Sequence, residues 1–308
     1  IRRTILWVIF GFSMVMLWDQ WQVYNGNKAT FFPSPAKTAG STAAPASAVT
    51  GLPTAITTTT AAAGTATMAQ TVGTSAGAPA AAVAPRERIE VTTDVLKLTF
   101  DTQGGTIIRS EFLKHADLND TQKATVLLDE SRDRVYVAQT GLIGGAFPNH
   151  KTPMSFSGER VLKDGANELV LKFQSPDLGG VRLIETYTLS RGSYAVRVKH
   201  EVVNTGTAPV SPQLYLQLVR DGNKPPGESS FYSTFTGPAV YTDAKKYQKV
   251  EFSDIEKGKA EIEKTSSTGY VAMVQHYFAS AWMLADGLVR EYFARKVDNN
   301  LFAVGMIT

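Results

Sequence analysis

Apolar and polar residues alternate with a period of two along much of the chain after Arg86, and no other feature restricts its fold as strongly. Tyr194, Val196, Val198, His200 and Val202 fall on one face of a run whose other face carries Ala195, Arg197, Lys199 and Glu201. Val181, Leu183, Tyr187 and Leu189 alternate with Arg182, Thr186 and Thr188. Leu169, Leu171 and Phe173 alternate with Val170, Lys172 and Gln174, and Leu214, Leu216 and Leu218 repeat the pattern. Successive side chains of a strand point to opposite faces, so the pattern predicts strands with one buried face. Gly-Gly pairs at 104–105, 144–145 and 179–180, Asp-Gly at 164–165 and Arg-Gly at 191–192 punctuate these runs. They read as turns, because no helix follows them to make a phosphate site. Two packed antiparallel sheets, a large and mainly β sandwich over residues 86–308, is the expected architecture.

The first 85 residues cannot join that core. Asn25 to Pro85 is mostly Ala, Thr, Ser, Gly and Pro, without hydrophobic period. Such a segment buries too little apolar area to offset chain entropy, so residues 25–85 read as a flexible linker, and Pro33 to Pro85 is expected to have no stable packing on the domain. Ahead of it, Arg2 and Arg3 precede an uncharged run from Thr4 to Trp18. As a helix that run spans about 22 Å, and its extension to Tyr24 spans about 31 Å, enough for a bilayer core. Trp7 lies within the run, and Trp18, Trp21 and Tyr24 suit the membrane–water interface. Residues 1–24 therefore read as a transmembrane signal-anchor. A cleaved signal peptide is the alternative, but DQWQVY stands where a small-residue cleavage site belongs. Arg2 and Arg3 favour a cytoplasmic N-terminus, which places the folded domain in the periplasm of a Gram-negative cell.

Charge excludes other classes. Of 31 basic and 28 acidic residues, four basic (Arg2, Arg3, Lys28, Lys37) and one acidic (Asp19) precede Arg86, which leaves 27 of each sign in the domain. A neutral domain is a poor nucleic-acid binder. The absence of Cys removes disulfides, thiol catalysis and Cys-ligated metals. His115, His150, His200 and His276 lack metal-type spacing, and no cofactor or metal is expected. His200, on an apolar strand face, reads as a hydrogen-bonded core or rim histidine. Two aromatic stretches stand out. Thr236–Phe252 combines a Gly-Pro turn with Tyr241 and Tyr247, and Gly269–Met283 carries Tyr270, Tyr277, Phe278 and Trp282. Sheet core plus a hairpin is one reading of them. The other is a partner surface, with Tyr241 and Tyr247 as anchors rimmed by Lys245, Lys246 and Lys249.

The opening RRTILWVIFGFSMVMLWDQW resembles the first transmembrane helix of the YidC membrane insertase family of Gram-negative bacteria. IEVTTDVLKLTFDTQGGTI (89–107), TGPAVYTDAKKYQKVEFSDI (236–255) and GYVAMVQHYFASAWM (269–283) resemble blocks of that family's periplasmic domain. Tyr270 stands where the family usually has Trp. The resemblance implies a β-supersandwich similar to galactose mutarotase, not known in the family as an enzyme. It implies a role in insertion, folding and assembly of inner-membrane proteins, alone or with the Sec translocon. The expected partners are those substrates, SecD, SecF and SecY, and the lipid bilayer, and the expected location is the inner membrane. The family's insertase core is a later bundle of five helices with an Arg-bearing groove. The strand-like LFAVGMIT at 301–308 prompts the expectation of further strands beyond Thr308, so the groove Arg is assigned to no residue here. Two alternatives stay open: a membrane-anchored periplasmic protein that binds or modifies carbohydrate, and an anchored envelope stalk.

Overall fold

The computed structural model describes residues 51–55, 86–118, 120–225 and 234–308. The predicted anchor, with Arg2, Arg3, Trp7, Trp18, Trp21 and Tyr24, lies outside the described residues, as does most of the linker. Among the described residues no helix is long and apolar enough to cross a membrane.

The fold is mainly β. In chain order the strands begin with β1 (Arg88–Thr92), β2 (Leu96–Asp101), β3 (Thr106–Ala116), β4 (Ala124–Glu130) and β5 (Val135–Ile143). Next come β6 (Ser155–Gly158), β7 (Glu168–Gln174), β8 (Val181–Ser190) and β9 (Val196–Asn204), which pair in sequence as a four-stranded antiparallel sheet. β10 (Gln213–Asp221) follows, then the hairpin β11 (Gly237–Thr242) and β12 (Lys246–Lys249), and one turn of helix, α1 (Phe252–Glu256). β13 (Thr265–Ser266), the hairpin β14 (Tyr270–Gln275) and β15 (Phe278–Met283), and the hairpin β16 (Arg290–Asp298) and β17 (Leu301–Ile307) complete the order. The largest sheet runs β1-β2-β3-β4-β5-β10-β17-β16-β13, and a third sheet runs β12-β11-β14-β15.

Both four-stranded sheets pack on one face of the nine-stranded sheet. Leu169, Leu171, Phe173, Val181, Leu183, Tyr187 and Leu189 from the first share one apolar cluster with Val240, Val271 and Met273 from the second. Phe100, Leu216, Leu218, Val304 and Met306 of the large sheet complete that cluster. The alternating residues of the sequence are its walls: β8 buries every second side chain from Val181 to Leu189. Buried hydroxyls stitch the layers. Tyr187 donates to the Gly105 carbonyl at 3.1 Å, Tyr136 donates to the Met273 carbonyl at 3.1 Å, and the Trp282 indole donates to the Gln217 carbonyl at 3.0 Å.

Two departures from the sequence reading stand out. Gly237 and Pro238 open strand β11 and are buried there, where a turn was expected. Proline lacks an N–H, and it is tolerated because β12 reaches no farther than the Ala239–Lys249 pair. Second, residues 51–55 of the expected free linker are docked: Pro53 is buried, and Leu52 and Ala55 pack against Ile143, Tyr215 and Ile307.

Candidate partner-binding face

Register places the two predicted tyrosines side by side. Tyr241 of β11 pairs with Tyr247 of β12 on one flank and with Tyr270 of β14 on the other. Tyr270 in turn pairs with Met283 of β15. The four residues form one row across the whole sheet, on the face turned away from the core. The Tyr241 and Tyr270 rings stack with centroids 5.3 Å apart and planes 7° apart. Tyr247 is 43% exposed and Met283 69% exposed, so the ends of the row are open. Partial burial, and then the phenol of Tyr270 across the row, raises the Tyr247 phenol above its usual range.

The next row on the same face is Lys249, Ala239, Ala272 and Ala281, and beyond it come Gly237, Val274 and Ala279. Of these, Gly237, Ala239 and Ala272 are buried, and Ala279 and Ala281 are exposed on the outer strand. The opposite, core-facing side holds Val240, Val271, Met273 and Trp282. Lys245, Lys246 and Lys249 are exposed at the β11–β12 end, with the Lys249 ammonium 5.2 Å from the Phe235 ring centroid. Lys246 takes the left-handed conformation, φ 58°, that closes the hairpin. An aromatic row and a lysine rim can bind a partner through apolar contact with charge-guided orientation.

The aromatic stretches divide between the core and the outer face of the sheet. Trp282 joins the core and Phe278 packs against it, Tyr277 sits 68% exposed between β14 and β15, and the tyrosine row faces out. Tyr270 and Met283 were missed as members of this face. Period two in GYVAMVQ and FASAWM could have placed them, but only the cross-strand register aligns them with Tyr241.

The histidines separate into three places. His115 and His276 line a groove of about 580 Å³ with Tyr277, Phe278, Asp117 and Asp129, and Arg109 holds Asp129 at 2.6 Å. His150 is buried and hydrogen-bonded to the Tyr215 hydroxyl. His200 meets the Thr140 hydroxyl at 2.8 Å, as a hydrogen-bonded core histidine should. Thr140 donates its own proton to the Tyr215 carbonyl at 3.0 Å, so its oxygen accepts from the His200 Nε2–H. Glu185, directly across the strand pair from His200, is fully buried with Oε1 3.9 Å from that nitrogen. Among the described residues no cluster of three or more His, Asp or Glu could hold a metal.

The fold is a mainly β sandwich domain with a row of aromatic residues on its outer face. A family profile described as the YidC periplasmic domain matches residues 88–308. The chain belongs to that family. It is similar over its full length, at 46% identity, to the membrane protein insertase YidC of Janthinobacterium sp. (strain Marseille), of which the alignment covers 53%. The corresponding proteins of Bordetella parapertussis and Herminiimonas arsenicoxydans are also 46% identical over all of this chain, with 54% and 53% of their own lengths covered. The chain spans about half the length of the curated relatives it matches.

Proposed function

We propose that this chain is the anchor and periplasmic part of a membrane protein insertase, and that its domain acts by binding partners. The observation that carries this reading is 46% identity to proteins named membrane protein insertase YidC across the whole chain, including the predicted anchor. The sandwich is a β-supersandwich of the galactose-mutarotase kind, anchored by residues 1–24 with Arg2 and Arg3 cytoplasmic and the domain periplasmic. The insertase activity belongs to the helical core that the family places after this domain. The partners are inner-membrane protein substrates and the Sec translocon, with SecD, SecF and SecY. The domain catalyses no reaction of its own. The carbohydrate alternative finds no support among the relatives.

The partner surface is the row Tyr247–Tyr241–Tyr270–Met283 with Lys245, Lys246 and Lys249. Its support is geometric: a row of aromatic anchors on the outer face of the sheet, open at Tyr247 and Met283, beside a basic rim. Photocrosslinkers placed singly at Tyr241, Tyr247 and Met283 in the full-length protein test it in cells. Adducts with a Sec subunit from these positions, and none from the exposed Thr205 turn, are expected. Adducts from Thr205 alone would move the surface elsewhere.

A further inference from the structure

The nine-stranded sheet is buried on its second face as well. Beyond the sandwich core, Ile108, Val137, Val219 and Ala303 form one small apolar cluster, and Ile143, Tyr215 and Ile307 form another. Side chains of β5, β10, β17 and β16 that point away from the sandwich build this surface. In its centre lies a polar group. Gln217 is fully buried; its amide donates to Gln139 Oε1 at 2.8 Å and to the Gly51 carbonyl at 3.4 Å. Arg295 donates to Gln217 Oε1 at 3.2 Å and to the same Gly51 carbonyl at 2.6 Å. A guanidinium commonly finds a carboxylate; this one is answered by amide oxygens, one of them supplied by the linker.

We propose that this surface is a docking site for an extended, uncharged peptide, and that its resident occupant is segment 51–55 of this chain, held as a strap. The chemistry of the two sides matches. Arg295 and Gln217 read a backbone carbonyl and need no acidic side chain, and residues 25–85 contain no acid. Leu52 and Ala55 cover Ile143, Tyr215 and Ile307, which would otherwise form a wet apolar patch. Gly51 takes the left-handed conformation, φ 65°, and a Cβ there would meet the His150 ring at 3.6 Å and Val297 at 3.8 Å. Burial holds the Arg295 guanidinium below its usual range, in keeping with a site sealed by the strap.

The strap changes how far the domain can move. It divides the linker into residues 25–50 and 56–85. Taken with the proposed membrane anchor, the strap shortens the stretch of chain between anchor and domain from 61 residues to 26. The docking itself does not depend on the anchor; only the reach does.

The lack of native Cys makes a distance measurement clean. Spin labels at Thr54→Cys and Asn299→Cys, both exposed positions, report the strap against the β16–β17 turn in the whole chain. One narrow distance is expected. Arg295→Met and Leu52→Asp should each broaden it several-fold, while a control pair at Thr205→Cys and Asn299→Cys stays narrow. Leu52 lies outside the sandwich, so its variant decides the matter if Arg295→Met disturbs the control pair. A broad distribution in the parent chain, or a narrow one unchanged by Leu52→Asp, would overturn the proposal.

Discussion

Glu185 is the most conspicuous single residue, a carboxyl in the middle of the buried face of β8. The Tyr187 hydroxyl lies 3.2 Å from its Oε2, and Oε1 has no hydrogen-bond partner. Burial pushes the carboxyl up to about 8, against 4.5 for an ordinary one. The unfolded chain releases this proton above about pH 4.5 and the folded chain holds it to about pH 8. Its stability contribution is thus complete below pH 4.5 and is lost as pH rises to 8, by up to about 1.4 kcal/mol per pH unit. His150 and His200 act in the opposite sense. Burial lowers both to about 4 from 6.5, so their contribution is present above pH 6.5 and lost as pH falls toward 4. Glu185→Gln should therefore gain stability relative to the parent at pH 8 more than at pH 5. Urea midpoints at the two values check this, and an equal shift at both would refute it. Arg290, also fully buried, donates to five carbonyls: Ser267, Gly269, Leu284, Ala285 and Leu288. Arg290→Met should cost about 3 kcal/mol or more, because those oxygens lose partners where water has little access. Chemical denaturation measures it.

At the scale of elements, the hairpin β14–β15 joins the core to the outward face, and its entry depends on Gly269. That residue has φ 101°, and a Cβ there would lie 1.9 Å from the Tyr241 carbonyl oxygen. Gly287 has a comparable φ of 89° with nothing within 4 Å. The pair separates backbone strain from collision. Gly287→Ala should cost about 1–2 kcal/mol, the price of a left-handed alanine alone. Gly269→Ala should cost clearly more and shift Tyr241 away from Tyr270, readable in the tyrosine near-ultraviolet dichroism. Equal losses would mean that the close approach to Tyr241 is not needed. The strands themselves were legible because alternation reports one buried face directly, as β7 and β8 show. β5 was less so: with both faces largely buried it alternates weakly, and nothing local distinguishes a strand covered twice.

For the whole molecule, the proposed topology makes a direct prediction. A reporter inserted at Gly165, an open turn with nothing within 4 Å of a would-be Cβ, should be active only in a format that requires the periplasm. Cytoplasmic activity would reverse the orientation inferred from Arg2 and Arg3. The linker makes a second one. Limited proteolysis should cut within 56–85 and leave a folded piece beginning near Arg86, where β1 starts soon after. A chain resistant throughout 56–85 would mean that the linker packs well beyond the strap.

Composition and periodicity alone determined the β class of the domain and its balance of charge, because both follow from local side-chain chemistry and the geometry of a strand. The quoted blocks fixed the family for the same reason, as continuous stretches of sequence. Alignment of Tyr247, Tyr241, Tyr270 and Met283 in one row, the meeting of Glu185 with His200, and the capture of Gly51 by Arg295 were decided only by tertiary structure. Each joins residues whose neighbourhood depends on strand register or on which face of a sheet is covered, and neither is encoded within the few residues over which sequence patterns act. The docked strap is the sharpest case: its composition resembles the rest of the linker, and what holds it is a guanidinium 244 positions away in the chain.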